Sequence, residues 1–105
     1  MRFHMLGLGY IPTEKRHSYC AFTHRCIRLA NILKNYLGHE VIFYGIENPE
    51  LPCDEAVPIF TRSEYEQFYG HIDPMHQQIP CDMESDAYRL FCERAAEEVG
   101  KRKRQ

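Results

Sequence analysis

The chain predicts an α/β fold built on a parallel sheet. Three observations carry this: an apolar run at residues 3–8 (FHMLGL), an amphipathic helical pattern ending at Leu37, and a second apolar run at residues 41–44 (VIFY). Strand, helix and strand within residues 1–45 imply a right-handed crossover between parallel neighbours. Open parallel sheets take ligands at the carboxyl ends of their strands, beside the start of the first helix. The loop from Gly9 to about Tyr19 is therefore the place to look for function.

Each element has its own signal. Residues 3–8 read as an apolar strand at the extreme N-terminus, and residues 41–44, β-branched and aromatic and too short for a helix, as a buried one. In the helix, Phe22, Cys26, Leu29, Ala30, Leu33, Tyr36 and Leu37 recur at three- and four-residue intervals, one continuous apolar stripe. Arg25, Arg28, Asn31, Lys34 and Asn35 take the other side. Ser18 is the expected N-cap, and Gly38 suits the left-handed position past the C-terminus. Residues 45–54 read as a loop. Residues 55–60 (EAVPIF) read as a third strand, which Pro58 confines to an edge or an irregular pairing. Residues 63–69 read as a short helix stopped by Gly70, and residues 70–81 as a long connector. A final helix spans about 85–103, with Tyr88, Phe91, Cys92, Ala95, Ala96 and Val99 at helical spacing, Asp86 at its head and Lys101 to Arg104 at its tail.

At 105 residues this is one domain. A hydrophobic fraction of 44% and a charge of −2 give no general reason to expect a nucleic-acid partner, and the basic tail reads as a helix end. No apolar run reaches the ~20 residues that span a bilayer, and no signal peptide is legible, so a cytoplasmic chain is expected. Five cysteines without a CxxC pair argue against a disulfide framework. Cys26 and Cys92 read as small core residues. Sheet order is expected to be 3-2-1. The first strand then exposes one edge or pairs with another molecule, because the chain ends where a fourth strand of a doubly wound sheet would begin.

Residues 3–8, the helix start Cys20-Ala21-Phe22-Thr23 and residues 37–45 (LGHEVIFYG) resemble the amino-terminal half of GT-B glycosyltransferases. The narrower likeness is to a bacterial and viral group related to the group 1 family. Pro52-Cys53, Tyr69-Gly70 and a closing helix rich in Asp, Tyr, Phe and Glu are similar to the same group, so the resemblance spans nearly the whole chain. It implies a three-layer Rossmann-like parallel sheet, the incomplete N-terminal half of a GT-B fold. The activity implied is transfer of a sugar from a nucleotide-sugar donor to an acceptor hydroxyl in a cleft between two domains. This half would hold the acceptor, with no cofactor of its own. The donor would bind a C-terminal domain that this chain lacks. On that expectation the chain is a fragment, a truncated frame or a relic.

Candidate site residues follow from the loop and the strand ends. Gly7 and Gly9 would allow close backbone approach to a ligand, or simply form a turn. Gly9-Tyr10-Ile11-Pro12 lacks the third glycine and the immediate helix of a dinucleotide fingerprint, which weighs against a nucleotide-binding oxidoreductase. His17 would act as a base on the acceptor hydroxyl. Ser18, Tyr19, Cys20 and Thr23 would face the cleft, with Ser18 and Thr23 bonding sugar hydroxyls. The plainer alternative is a capping serine and a solvent histidine. Tyr44 and Glu47 would reach the cleft edge, where a carboxylate can accept from ribose or sugar hydroxyls. A solvated loop glutamate is the alternative. His17, Cys20 and His24 lack the paired spacing of a zinc site, so no metal is expected. The rival from another class is a non-catalytic flavodoxin-like binding or interaction module.

Overall fold

The computed structural model describes residues 1–17, 20–70 and 85–102. The connector expected at 70–81 lies almost wholly outside these residues, as do Ser18, Tyr19 and the end of the basic tail.

Three strands, β1 (Arg2–Leu6), β2 (Glu40–Ile46) and β3 (Glu55–Phe60), form one parallel sheet with β2 in the middle. The register sets Met5 beside Phe43 and Phe43 beside Ala56. The order is 3-2-1, as the sequence predicts. The first strand is shorter than expected because Gly7 and Leu8 already belong to the loop.

Side chains alternate across the sheet, so each strand serves two layers. On one face Met5, Val41 and Phe43 pack against Cys26, Ala30 and Leu33 of α1 (Ala21–Asn31) and its continuation. On the other, Ile42, Tyr44, Ile46, Val57, Ile59 and Phe60 meet Tyr65 and Tyr69 of α2 (Arg62–Tyr69) and Phe91 and Ala95 of α3 (Asp86–Arg102). The result is a helix–sheet–helix sandwich in which residues 41–46 are buried on both faces, as a central parallel strand requires. Phe60 sits edge-on to Phe91 with ring centroids 5.4 Å apart, a pairing worth about 0.5–1.5 kcal/mol beyond burial.

Two details of α1 depart from expectation. Its N-cap is Cys20 rather than Ser18, and the Cys20 side chain makes no capping hydrogen bond. The chain first turns through a 3-10 turn, Lys15–His17, from which the His17 carbonyl accepts the Cys20 amide at 3.0 Å. That turn delays the helix by two residues. At the other end residues Ile32–Tyr36 widen into a π turn, closed by Leu37 N–H to the Ile32 carbonyl at 3.0 Å. Gly38 follows at φ +70°, the left-handed position read from the sequence.

The stripe on α1 is also wider than the surface it covers. Cys26, Ala30 and Leu33 are buried, but Phe22 is 45% exposed, Leu29 48% and Tyr36 77%, with Leu37 exposed too. Among the described residues the sheet stops at β1, and no strand lies beneath the outer part of the stripe. Cys92 is likewise exposed rather than a core residue.

The third strand ends the sheet differently. A register shift between Gly45 and Ile46 lies opposite Pro58 and Phe60, so this edge is both bulged and lacks one donor. α3 runs antiparallel to the strands. Phe91 lies by Gly9 at their carboxyl end, and Arg102 reaches Glu55 at 3.0 Å at their amino end.

Candidate site at the carboxyl end and open edge of the sheet

The loop after β1 begins by extending the ladder, with Gly7 N–H donating to the Tyr44 carbonyl at 2.7 Å. A Cβ on Gly7 would stand 2.5 Å from the Phe43 ring, and one on Gly9 would stand 2.9 Å from the Phe91 ring. Both glycines are needed because aromatic rings lie where a side chain would be. Ile11, Pro12 and Thr13 then pass through buried positions. The Thr13 carbonyl accepts the Glu50 amide at 2.7 Å, which ties this loop to the one between β2 and β3.

A second tie runs through Arg62 at the start of α2. Its Nη1 donates to Glu14 Oε1 at 2.7 Å, its Nε to the Glu47 carbonyl at 2.8 Å and its Nη2 to the Asn48 carbonyl at 3.2 Å. Glu47 in turn accepts the Arg62 backbone amide at 3.0 Å. Burial pushes the Glu14 carboxyl up, but the hydrogen bond and charge of Arg62, with Arg16 and His17, outweigh it and hold the group below its ordinary range. Asn48 takes the left-handed conformation at φ 61°, a turn that asparagine tolerates better than most residues. One guanidinium thus fastens three chain segments above the ends of the strands.

The same scaffold explains where the candidate residues lie. His17 is 3% exposed, not a solvent or cleft residue. Burial lowers its imidazole pKa first, and Arg16 lowers it further, while Glu14 opposes them. A histidine held neutral suits a base chemically, but here no open surface reaches it. Thr23 is buried on the first turn of α1. Cys20 is half-buried at the helix cap. Tyr44 is not at a cleft edge. It is fully buried within β2, and its Oη lies 2.7 Å from His4 Nδ1 under α3. Glu47 caps α2 through its carboxylate. Ser18 and Tyr19 lie outside the described residues.

Of the described candidate residues, Gly7 and Gly9 line an open groove, while Glu47 lines a smaller cavity of about 210 Å³ with Ile46, Asn48 and Pro58. A groove of about 620 Å³ runs along the outer side of β1 between the loop and α3, and Leu6, Tyr10, Phe22, Tyr88, Cys92 and Ala96 contribute to its walls. A second groove, about 590 Å³, flanks the opposite face of β1, between Met5, Leu6 and the exposed side of α1 at Phe22, Arg25, Arg28, Leu29 and Ile32. Leu6 and Phe22 belong to both. These two grooves flank the outer edge of β1.

Arg62 and Glu14 escaped the sequence reading, and Phe91 stood in it only as part of a helix stripe, because each acts on a residue far along the chain. Only the cap of α2 left a local trace: Thr61 and Glu64 form a reciprocal capping box, the Ser/Thr-x-x-Glu pattern that marks a helix start. Among the described residues no group of three or more His, Cys, Asp or Glu side chains is placed to hold a metal ion. None of their helices is long and apolar enough to cross a membrane. No protein-family model, curated protein or solved structure matches this chain.

Proposed function

We propose that this chain supplies the acceptor-side, Rossmann-like half of a glycosyltransferase. A second, nucleotide-binding half provides the donor sugar. Transfer proceeds through oxocarbenium-like chemistry at that sugar, driven by departure of the nucleoside diphosphate. The reading starts from the sequence resemblance. Its support in the fold is one observation: the groove beside the β1–α1 loop opens at the carboxyl end of a parallel sheet, where such sheets take ligands. The wall there is apolar, with Tyr10, Phe22 and Tyr88, so an acceptor with an apolar body suits it better than a bare sugar.

The test is binding by this chain alone. Calorimetry with uridine, guanosine and cytidine diphosphate sugars is expected to give no heat of binding. Saturation-transfer NMR with alkyl and aryl glycosides is expected to show contact through the aglycone. Micromolar affinity for a nucleotide sugar places the donor site in this chain. Absence of contact with every glycoside removes the acceptor role.

The rival reading, a non-catalytic flavodoxin-like interaction module, calls for both sheet edges to be protected, whereas β1 is unpaired on its outer side among the described residues. That reading requires no glycoside contact, so the same spectra separate the two.

A further inference from the structure

We propose that the free edge of β1 is a docking site for an extended segment of a partner polypeptide, apolar along its length and carrying carboxylates. The inference holds whether or not the chain belongs to a glycosyltransferase.

The Met1 carbonyl accepts from Glu40, and Gly7 N–H donates to Tyr44, so the odd-numbered residues of this stretch face β2. Because strand residues alternate in direction, the amides and carbonyls of His4 and Leu6 point to the open side. Among the described residues nothing pairs with them. Exposed edges are ordinarily blunted by proline, a bulge or charge. The β3 edge has Pro58 and a register shift. At the β1 edge, Leu6 is 45% exposed and lies between two apolar grooves. A strand laid there gains main-chain hydrogen bonds and buries side chains against α1 on one face and α3 on the other, the pattern of strand addition.

Charge selects the occupant. From Ala21 to Tyr36 the helix and its π turn contain no acidic residue. Lys34 is matched by Asp54, whereas Arg25 and Arg28 have no carboxylate among the described residues. Both arginines line the groove on the α1 side. A second copy of the chain fits this poorly. Twofold pairing of β1 with β1 sets the two α1 helices on the same face, each presenting Arg25 and Arg28 to its counterpart. A segment with acidic side chains fits instead.

Amide hydrogen exchange on the full chain tests this, with two probes: a short peptide of alternating Val and Thr flanked by Glu, and its Lys-flanked counterpart. Alone, His4 and Leu6 should exchange fast while Phe43 stays protected. The Glu-flanked peptide should slow exchange at His4 and Leu6, and bind about threefold or more tighter than the Lys-flanked one, as two exposed ion pairs allow. The double variant Arg25→Glu, Arg28→Glu should reverse that preference, with Phe43 protection reporting an intact fold. The proposal is overturned if neither peptide protects the two amides or if both bind equally. It is also overturned if the chain sediments as a dimer with those amides already protected.

Discussion

The ring of Phe91 occupies the place a side chain on Gly9 would take, with Cγ and Cδ2 both 2.9 Å from the position of that Cβ. Two residues more than eighty apart in sequence are thereby matched, and the loop after β1 is held down by α3. The glycine serves packing, whatever ligand the groove accepts.

Gly9→Val should therefore cost stability, about 1–3 kcal/mol by overpacking a buried contact. Urea unfolding of the variant gives the number. Adding Phe91→Leu should recover part of the loss. If Gly9→Val is as stable as the parent, the ring moves freely and the contact does not hold the loop.

The Arg62 tie should be pH-dependent. The folded Glu14 carboxyl lies below its ordinary value of 4.5, so its stabilisation is full above that value and is lost as pH falls through the lower, folded one. Arg62→Gln removes bonds to a carboxylate and two carbonyls and should cost about 1–3 kcal/mol at neutral pH. The deficit should shrink in acid. A deficit that is constant between pH ~7 and ~3 would show that the carboxylate does not contribute.

His17 should act over a different window. Its folded pKa lies below the ordinary 6.5 because burial and Arg16 disfavour the charged form. The unfolded chain then binds the proton more readily, so stability declines as pH falls from about 6.5 toward the folded value. His17→Gln cannot protonate, and its stability should fall less between pH ~7.5 and ~5.5 than the parent's. Equal slopes in the two chains would mean that the imidazole titrates alike folded and unfolded.

The start of α1 is uncapped at Cys20, which already has extended backbone angles, φ −78° and ψ 114°. Cys20→Ser supplies a hydroxyl that can accept an orphan amide of the first turn, with a gain of about 0.5–1 kcal/mol. Thermal unfolding should show a higher midpoint. A lower one would mean that the thiol's packing outweighs a cap.

Much of the fold was legible locally. The strand at Glu55–Phe60, the helix stopped at Gly70, the left-handed Gly38 and the irregular pairing at Pro58 each rest on propensities of neighbouring residues. The site was less so. Glu47, His17 and Tyr44 carry side chains suited to a cleft, and their roles changed once Arg62, the loop and His4 were brought beside them.

The sequence by itself determined the element types, their parallel arrangement and the crossover, because periodicity and turn residues act over a few positions. Only the tertiary structure decided which side of each element is buried. The α1 stripe reads as continuous apolar surface, but burial depends on what lies opposite. Among the described residues the sheet beneath it ends at β1, so Cys26 and Ala30 are enclosed while Phe22 and Leu29 stand exposed at its edge.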